Sequence, residues 1–387
     1  MTNTFTSVVT EKLNRLQTPL YYYDTDLLKR TLQALTGEAD RYGYHVHYAV
    51  KANANLRVLT IIRDAGIGAD CVSGGEIQAA LDAGFPADKI VFAGVGKADW
   101  EINLGLDKDI FCFNAESIPE LEVINSLAAA KGKIARIALR INPEVDAHTH
   151  QHITTGTKEN KFGINIEQLD GVLDKLKSLK NLNLIGIHFH IGSQITESEP
   201  FEALCARAVE LEQQLSQRGI FVENINFGGG LGIDYENPDG NPIPDFKKYF
   251  AIFNRHFPIK AGQKIHFEPG RSVVAQSGTL ISKVLYVKEG SFKKFAILDA
   301  GFTELIRPAL YDAYHKIENL SSQTGEDVYD VVGPICESSD VFSKDCKMPV
   351  AHRGDLFALR SAGAYGEIMA SQYNCRKLPK SYFSDQI

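Results

Sequence analysis

Long apolar runs are missing from this 387-residue sequence. Nowhere do hydrophobic residues approach the roughly 20 in succession that a membrane helix needs, so no membrane partner is expected. The opening stretch MTNTFTSVVTEKLNRLQTPL lacks a basic head followed by an apolar core, so export is not expected and a cytoplasmic location is. Paired cysteines are also missing. Cys71, Cys112, Cys205, Cys336, Cys346 and Cys375 lie scattered with no CxxC pair, which argues against a zinc site and fits free thiols in a reducing compartment. Most are expected to fill the core, and Cys346 and Cys375 read as buried thiols rather than redox-active ones. An excess of basic residues is the third absence. Lys and Arg number 41 against 48 Asp and Glu, a net charge of −7, so there is no electrostatic reason to bind nucleic acid or an anionic surface.

What is present is a soluble composition, 44% hydrophobic and 23% charged, on a chain too long for one hydrophobic core. From residue 44 to about 270 a short β-rich run, a turn and a helical stretch recur. The runs are HYAVKA (47–52), GADCV (68–72), KIVFAG (89–94), DIFCFN (109–114), IARIALRIN (134–142), LIGIHFHIG (184–192), INFGGG (225–230) and KIHFEPG (264–270). Amphipathic segments such as GEIQAALDAG (75–84) and FEALCARAVELEQQLSQRG (201–219) lie between them and end in glycine, as helices do. Eight such units predict an α/β fold with a closed parallel (β/α)8 barrel over 25–275. After about residue 275 strands follow one another without long helices: 278–289, 293–301, 328–335 and 354–363. These predict a mainly antiparallel β domain made of 276–387 with 1–24, to which the β-rich TPLYYYD (18–24) contributes.

In such barrels the chemistry sits at the C-terminal ends of the strands, and a phosphate often rests on the loops after strands seven and eight. There this sequence has GGGLG (228–232) and EPGR (268–271). Glycines let backbone N–H groups approach an anion, and Arg271 adds charge. Lys51 falls at the end of strand one, on the same rim. Taken alone it also fits a lysine reaching out to solvent. Taken with two anion-binding loops it fits an amine poised for an aldehyde cofactor that carries a phosphate, and pyridoxal 5′-phosphate is the candidate. His188 and His190 share one side of strand six, and one of them could lay a flat ring against a pyridine; a strand histidine is also often a satisfied core group. Glu268, at the end of strand eight, suits a pyridinium nitrogen, because an ionised carboxylate keeps that nitrogen protonated. HTHQH (148–152) offers three imidazoles, but no matching Cys or carboxylate pattern flanks it, so a solvated loop is expected there and no metal.

With these residues in place the chain resembles the pyridoxal-phosphate-dependent decarboxylases of the alanine-racemase-like fold and, within them, the branch whose substrate is meso-diaminopimelate. The resemblance rests on an ordered series: YAVKAN, GADCVSGGE (68–76), NKFGI (160–164), HFHIGSQ (188–194), FGGGLG (227–232), EPGR, GPICESSD (333–340) and AGAYG (362–366). It implies that Lys51 joins the cofactor covalently, His190 stacks on its ring and Glu268 pairs with the ring nitrogen. It further implies that Ser193, Gly228, Gly229, Gly230 and the Pro269–Gly270–Arg271 turn hold the phosphate, with Tyr365 touching cofactor and substrate. The implied assembly is a head-to-tail homodimer in which Cys336, as proton donor, and Glu337, as binder of the distal amino group, complete the other subunit's site. Arg271, Arg307 and Tyr311 match the family's binders of a distal carboxylate, for which arginines are suited. The implied reaction is decarboxylation of meso-2,6-diaminopimelate to L-lysine, the last step of lysine synthesis. Decarboxylation of carboxynorspermidine, ornithine or arginine is the nearest alternative, although ornithine decarboxylases typically carry aspartate where Glu337 stands. A non-catalytic regulatory relative would tend to lose Lys51 or Cys336, and both are present. A racemase is disfavoured, because alanine racemase usually sets an arginine against the ring nitrogen where Glu268 is placed here.

Overall fold

The computed structural model describes residues 5–145 and 161–387. It divides into two compact units: Leu32–Gly232 with Asp245–Gly270, and Met1–Thr31 with Ile233–Pro244 and Arg271–Ile387.

The first unit is the barrel. Its strands are β1 (His45–Ala49), β2 (Gly68–Cys71), β3 (Ile90–Phe92), β4 (Cys112–Ala115), β5 (Ala135–Asn142), β6 (Leu182–His188), β7 (Asn224–Asn226) and β8 (Lys264–Phe267). Each pairs in parallel with the next, and the ring closes where β8 meets β1, His266 opposite His45 and Phe267 opposite Val46. A two-residue strand, Ile164–Asn165, adds to the end of β5 outside the ring. The outer helices start where the sequence supplies a side-chain oxygen for the free N–H groups of the first turn. Asn55, Ser73, Ser117 and Asp245 cap helices Leu56–Asp64, Gly74–Asp82, Ile118–Ala130 and Phe246–His256. Outward-facing strand residues pack under these helices. Phe227 and Phe267 meet Phe253 with ring centroids 4.8 and 4.7 Å apart, and Phe250 lies 4.9 Å from Phe267.

Residues of the opposite parity turn into the barrel, and many are polar, beside a small apolar cluster of Val91, Cys112 and Ala138. Low in the barrel, His47 Nε2 lies 3.0 Å from His266 Nδ1, and His266 Nε2 lies 3.0 Å from Asn224 Oδ1. Asn114 of β4 donates to Glu268, just past β8, although β4 and β8 are not neighbours. A bond of that kind crosses the interior, so the lumen is a packed, hydrogen-bonded layer with its polar end at the mouth.

The second unit is an eight-stranded sheet. Its long strand Gly278–Glu289 pairs antiparallel with Leu20–Tyr23, Leu356–Leu359 and Lys294–Leu298. Two pairings are parallel: Leu20–Tyr23 with Lys380–Phe383, and Lys294–Leu298 with Asp327–Val332. Phe5, Leu13, Leu20, Tyr22, Ile281 and Leu356 form a buried cluster on this sheet.

Every one of the eight barrel runs is a strand, but several stop earlier than the sequence suggests. β1 ends at Ala49 and β6 at His188, so Lys51, His190 and Glu268 stand on the turns just beyond their strands. The β domain is mixed, and the sequence reading misses three of its strands. Val341–Met348, VFSKDCKM, is one of them: among the described residues it pairs only with Asp327–Val332, and Ser343, Lys344, Asp345 and Lys347 interrupt its apolar pattern. Residues 25–31, 271–275 and the insert 233–244, IDYENPDGNPIP, belong with the sheet; the insert reads as loop because proline, glycine and asparagine dominate it. Cys375 is exposed rather than buried, and Cys346 is half-buried. The HTHQH stretch lies outside the described residues.

Candidate active site

The strand-to-turn transition after β1 sets the position of Lys51. Val50–Ala52 forms a single 3-10 turn, closed by the N–H of Asn53 on the carbonyl of Val50. Tyr48 fixes it from within, its hydroxyl donating to the carbonyl of Asn53 at 3.0 Å. The turn after β8 lies close by: the N–H of Ala49 donates to the carbonyl of Pro269 at 3.2 Å. Gly270 permits this approach, since a Cβ there would stand 3.0 Å from Ala49 Cβ and 3.1 Å from Ala52 Cβ. Half-buried at this junction, Lys51 acts electrostatically on Asp70, Glu76, Glu268 and His190. An ammonium at a barrel rim is thus set among acids, and this answers its burial cost.

Two carboxyls of the mouth are driven in opposite directions. Glu268 is 5% exposed. Its carboxylate accepts from Asn226 Nδ2 at 2.6 Å, His188 Nε2 at 2.9 Å and Asn114 Nδ2 at 3.4 Å. Burial raises its pKa, but His188 beside it, with His47 and Lys51, outweighs burial and holds it well below the ordinary carboxylate range. Asp70, equally enclosed, has an Oδ1 without a hydrogen-bond partner among the described residues. Burial and the Glu268 charge push it well above the ordinary range, against the pull of Lys51. The satisfied carboxyl is thus driven toward its charged form and the other toward its protonated form.

The loop after β7 is shaped by glycine. Gly228 adopts φ +69°, and a Cβ there would stand 2.3 Å from the carbonyl oxygen of Phe189; one on Gly229 would stand 2.3 Å from that of Glu268. No side chain fits at either place, so the backbone comes close to whatever occupies the loop. The Gly229 N–H points at His190 Nδ1, 3.4 Å away. Burial, then the charges of Lys51 and Arg140, lower the His190 pKa well below its ordinary value, so its ring is neutral. Ser193 sits in a strand-like lacing of two loops, with Ile195 donating to the Gly230 carbonyl and Gly232 to that of Ile195, both at 2.9 Å. Glu116 ties further loop ends at the mouth, accepting from Gly94 N, Gly163 N and Arg140 Nη1 at 2.9, 2.9 and 3.0 Å.

The residues expected at the far end of the substrate lie in the sheet unit. Arg271 and Arg307 are both 5% exposed. Both donate through Nη1 to the Tyr235 hydroxyl, at 2.6 and 3.0 Å. Arg271 also lies over the ring of Tyr365, 4.9 Å from its centroid. Tyr311 ends the short helix that Arg307 begins. Cys336 and Glu337 are on an exposed loop: the Cys336 N–H donates to Asn374 Oδ1 at 3.2 Å, and Tyr373 donates to Glu337 at 2.7 Å. Sequence reasoning misses Asp70, Asn114, Asn226, Tyr235 and His315. The first three had one usable signal, an inward parity shared with Glu268 on a recognisable barrel strand.

The barrel mouth fits pyridoxal phosphate on its own geometry. It offers a primary amine for the aldehyde, an anion held ionised for the ring nitrogen, a neutral ring in His190 for stacking, and a glycine cradle that admits no Cβ. The orphaned Nδ1 of His188 and Oδ1 of Asp70 add polar atoms that the described residues leave unsatisfied. Each part of that cofactor thus finds a counterpart in the barrel unit, which places the chain in the class of barrel enzymes that work with pyridoxal phosphate. Residues 26–275 match the family model of the pyridoxal-dependent decarboxylase, pyridoxal binding domain. A diaminopimelate decarboxylase of Bacteroides thetaiotaomicron is 64% identical over 378 residues, 97% of this chain and 98% of that one. A crystal structure of diaminopimelate decarboxylase from Helicobacter pylori complexed with L-lysine superposes with a TM-score of 0.90 at 40% identity, covering 96% of this chain and 93% of that one. One from M. jannaschii in complex with L-lysine gives 0.90 at 36%, covering 97% and 90%. The chain belongs to the diaminopimelate decarboxylase family.

Proposed function

We propose that the protein decarboxylates meso-2,6-diaminopimelate to L-lysine and CO2, with pyridoxal phosphate joined to Lys51. The observation that carries this is the buried, ionised Glu268 in the same barrel mouth as Lys51. When bound, the cofactor supplies a sink for the electron pair left as the carboxylate departs. The protein's own part is to hold and orient. Glu268 would keep a proton on the ring nitrogen, His190 would present a neutral face to the ring, and Ser193, the 228–230 glycines and the 269–271 turn would take the phosphate. Lys51 would hold the cofactor's aldehyde carbon and, as a free amine, would move a proton. Arg271 and Arg307, with Tyr311 and Tyr365, take the carboxylate at the substrate's far end. Among the described residues no ion pair supplies Arg307 with a carboxylate, which leaves its charge for a ligand. Cys336 and Glu337 of a second copy are assigned proton delivery and recognition of the distal amino group, and their exposure supports a role toward another chain. Among the described residues no helix is long and apolar enough to cross a membrane.

The test is CO2 release from purified protein loaded with pyridoxal phosphate, comparing meso-diaminopimelate with carboxynorspermidine, ornithine and arginine. A kcat/KM for meso-diaminopimelate at least about a hundredfold above the others is expected, because loss of a bidentate arginine contact to a buried carboxylate is a large penalty. Equal rates on ornithine or arginine would overturn the assignment.

A further inference from the structure

Two buried arginines of the sheet unit are treated in opposite ways. Arg360 is neutralised: it donates to Asp239 at 2.7 Å and to Glu318 at 2.6 Å. Arg307 receives no carboxylate among the described residues. Its Nη1 gives one proton to the Tyr235 hydroxyl at 3.0 Å and the other to His315 Nε2 at 2.9 Å. A guanidinium cannot accept a hydrogen bond, so His315 Nε2 must present a bare lone pair. The imidazole proton therefore sits on Nδ1, where it finds the carbonyl of Arg360 at 2.9 Å. All three groups are satisfied in a single tautomer. Burial, then the charges of Arg307 and Arg271, push the His315 pKa down to about 3, so the ring stays neutral through the physiological range.

This arrangement has a geometric consequence. Both protons of Nη1 are taken by protein acceptors, which fixes the guanidinium plane and leaves the Nε–H and Nη2–H edge as the side that meets a carboxylate in two parallel hydrogen bonds. It has an electrostatic consequence too. A carboxylate in the place of His315 would orient Arg307 equally well but would cancel its charge; a neutral imidazole and a phenol orient it and leave the charge in force. Tyr235 packs edge-on against His315, ring centroids 5.3 Å apart at 82°, so the two acceptors brace each other.

We propose that His315, with Tyr235, is a positioning residue that sets Arg307 as an uncompensated, pre-aligned receptor for the substrate's distal carboxylate. The inference rests on the reading of Arg307 as the binder of that carboxylate. It is tested on the cofactor-loaded enzyme with His315→Leu, which removes the acceptor, and His315→Gln, whose amide oxygen can stand where Nε2 did. Tyr235→Phe removes the other acceptor and serves if the leucine variant does not fold. The measurements are kcat and KM for meso-diaminopimelate, with inhibition constants for L-lysine and for cadaverine, its counterpart without the carboxylate. His315→Leu and Tyr235→Phe should each raise KM and the lysine inhibition constant by roughly ten- to a hundredfold, the loss expected for a hydrogen bond to a charged group. Inhibition by cadaverine should stay unchanged, kcat should stay within about threefold, and His315→Gln should restore most of the KM. Equal weakening of lysine and cadaverine, a fall in kcat at constant KM, or a glutamine variant no better than leucine would overturn the proposal. Arg307→Lys separates the two levels. If it leaves KM and lysine inhibition unchanged, the reading of Arg307 is wrong; if it weakens both while the acceptor variants do not, only the role of His315 and Tyr235 fails.

Discussion

Lys51→Ala is expected to lower kcat for CO2 release by about four orders of magnitude or more, the scale seen when a covalent catalyst is removed from an enzyme that depends on it. The visible absorbance of the lysine-bound cofactor should vanish with it. The physical reason lies in where the amine stands: on a one-turn 3-10 segment held by Tyr48 and by the Ala49–Pro269 bond, among Asp70, Glu76 and Glu268. Removing it also removes a positive charge that these acids feel. Lys51→Arg is therefore the informative companion. It keeps the charge and discards the nucleophile, so it should fold like the parent and be as inactive as alanine. Activity in the arginine variant within about tenfold of the parent would show that charge, and not the amine, is what the site requires.

Glu268→Gln is expected to lower kcat on the order of 10^2 to 10^3-fold while the cofactor still loads onto Lys51, since a buried, fixed charge facing the reacting system is lost and the shape is kept. Stability supplies a second readout with a definite sign. Folding holds Glu268 below its ordinary pKa of 4.5, so its contribution is full above that pH and disappears as the pH falls through the lower folded value. The variant should melt below the parent at neutral pH, and the gap should narrow as the pH falls below about 4.5. Asp70, displaced upward, works in the opposite sense, which makes Asp70→Asn a control expected to cost less at neutral pH. A gap that widens in acid would contradict the ionised state assigned to Glu268.

The elements most readily recognised from sequence are those whose pattern is local. Most barrel strands are short β-branched or aromatic runs, and several of the amphipathic helices between them end in glycine, so the ring is countable before any contact is known. Lys51 and Glu268 stand out because charge closes an otherwise apolar run. The partners that define their chemistry are remote: Asn114 lies 154 residues from Glu268, and Asn226 and His188 lie 42 and 80 away. Only the closed ring, with every second residue turned inward, brings them together. Tyr235 and His315 were harder still. Tyr235 sits in a Pro-, Gly- and Asn-rich insert that leaves the barrel for the other unit, and His315 gains its role only from the tautomer that Arg307 and the Arg360 carbonyl impose. The early end of β1 at Ala49 was also hidden, because Val50 and Ala52 continue an apolar pattern that the backbone has already abandoned for a turn.

The account stands on the covalent attachment point of the cofactor. Reduction of the loaded protein with borohydride, followed by proteolysis and mass mapping of the modified peptide, tests it directly. The account predicts a single phosphopyridoxyl label, on Nζ of Lys51 in the peptide containing YAVKAN; a label on any other lysine, or no label on a protein that still releases CO2, would contradict it.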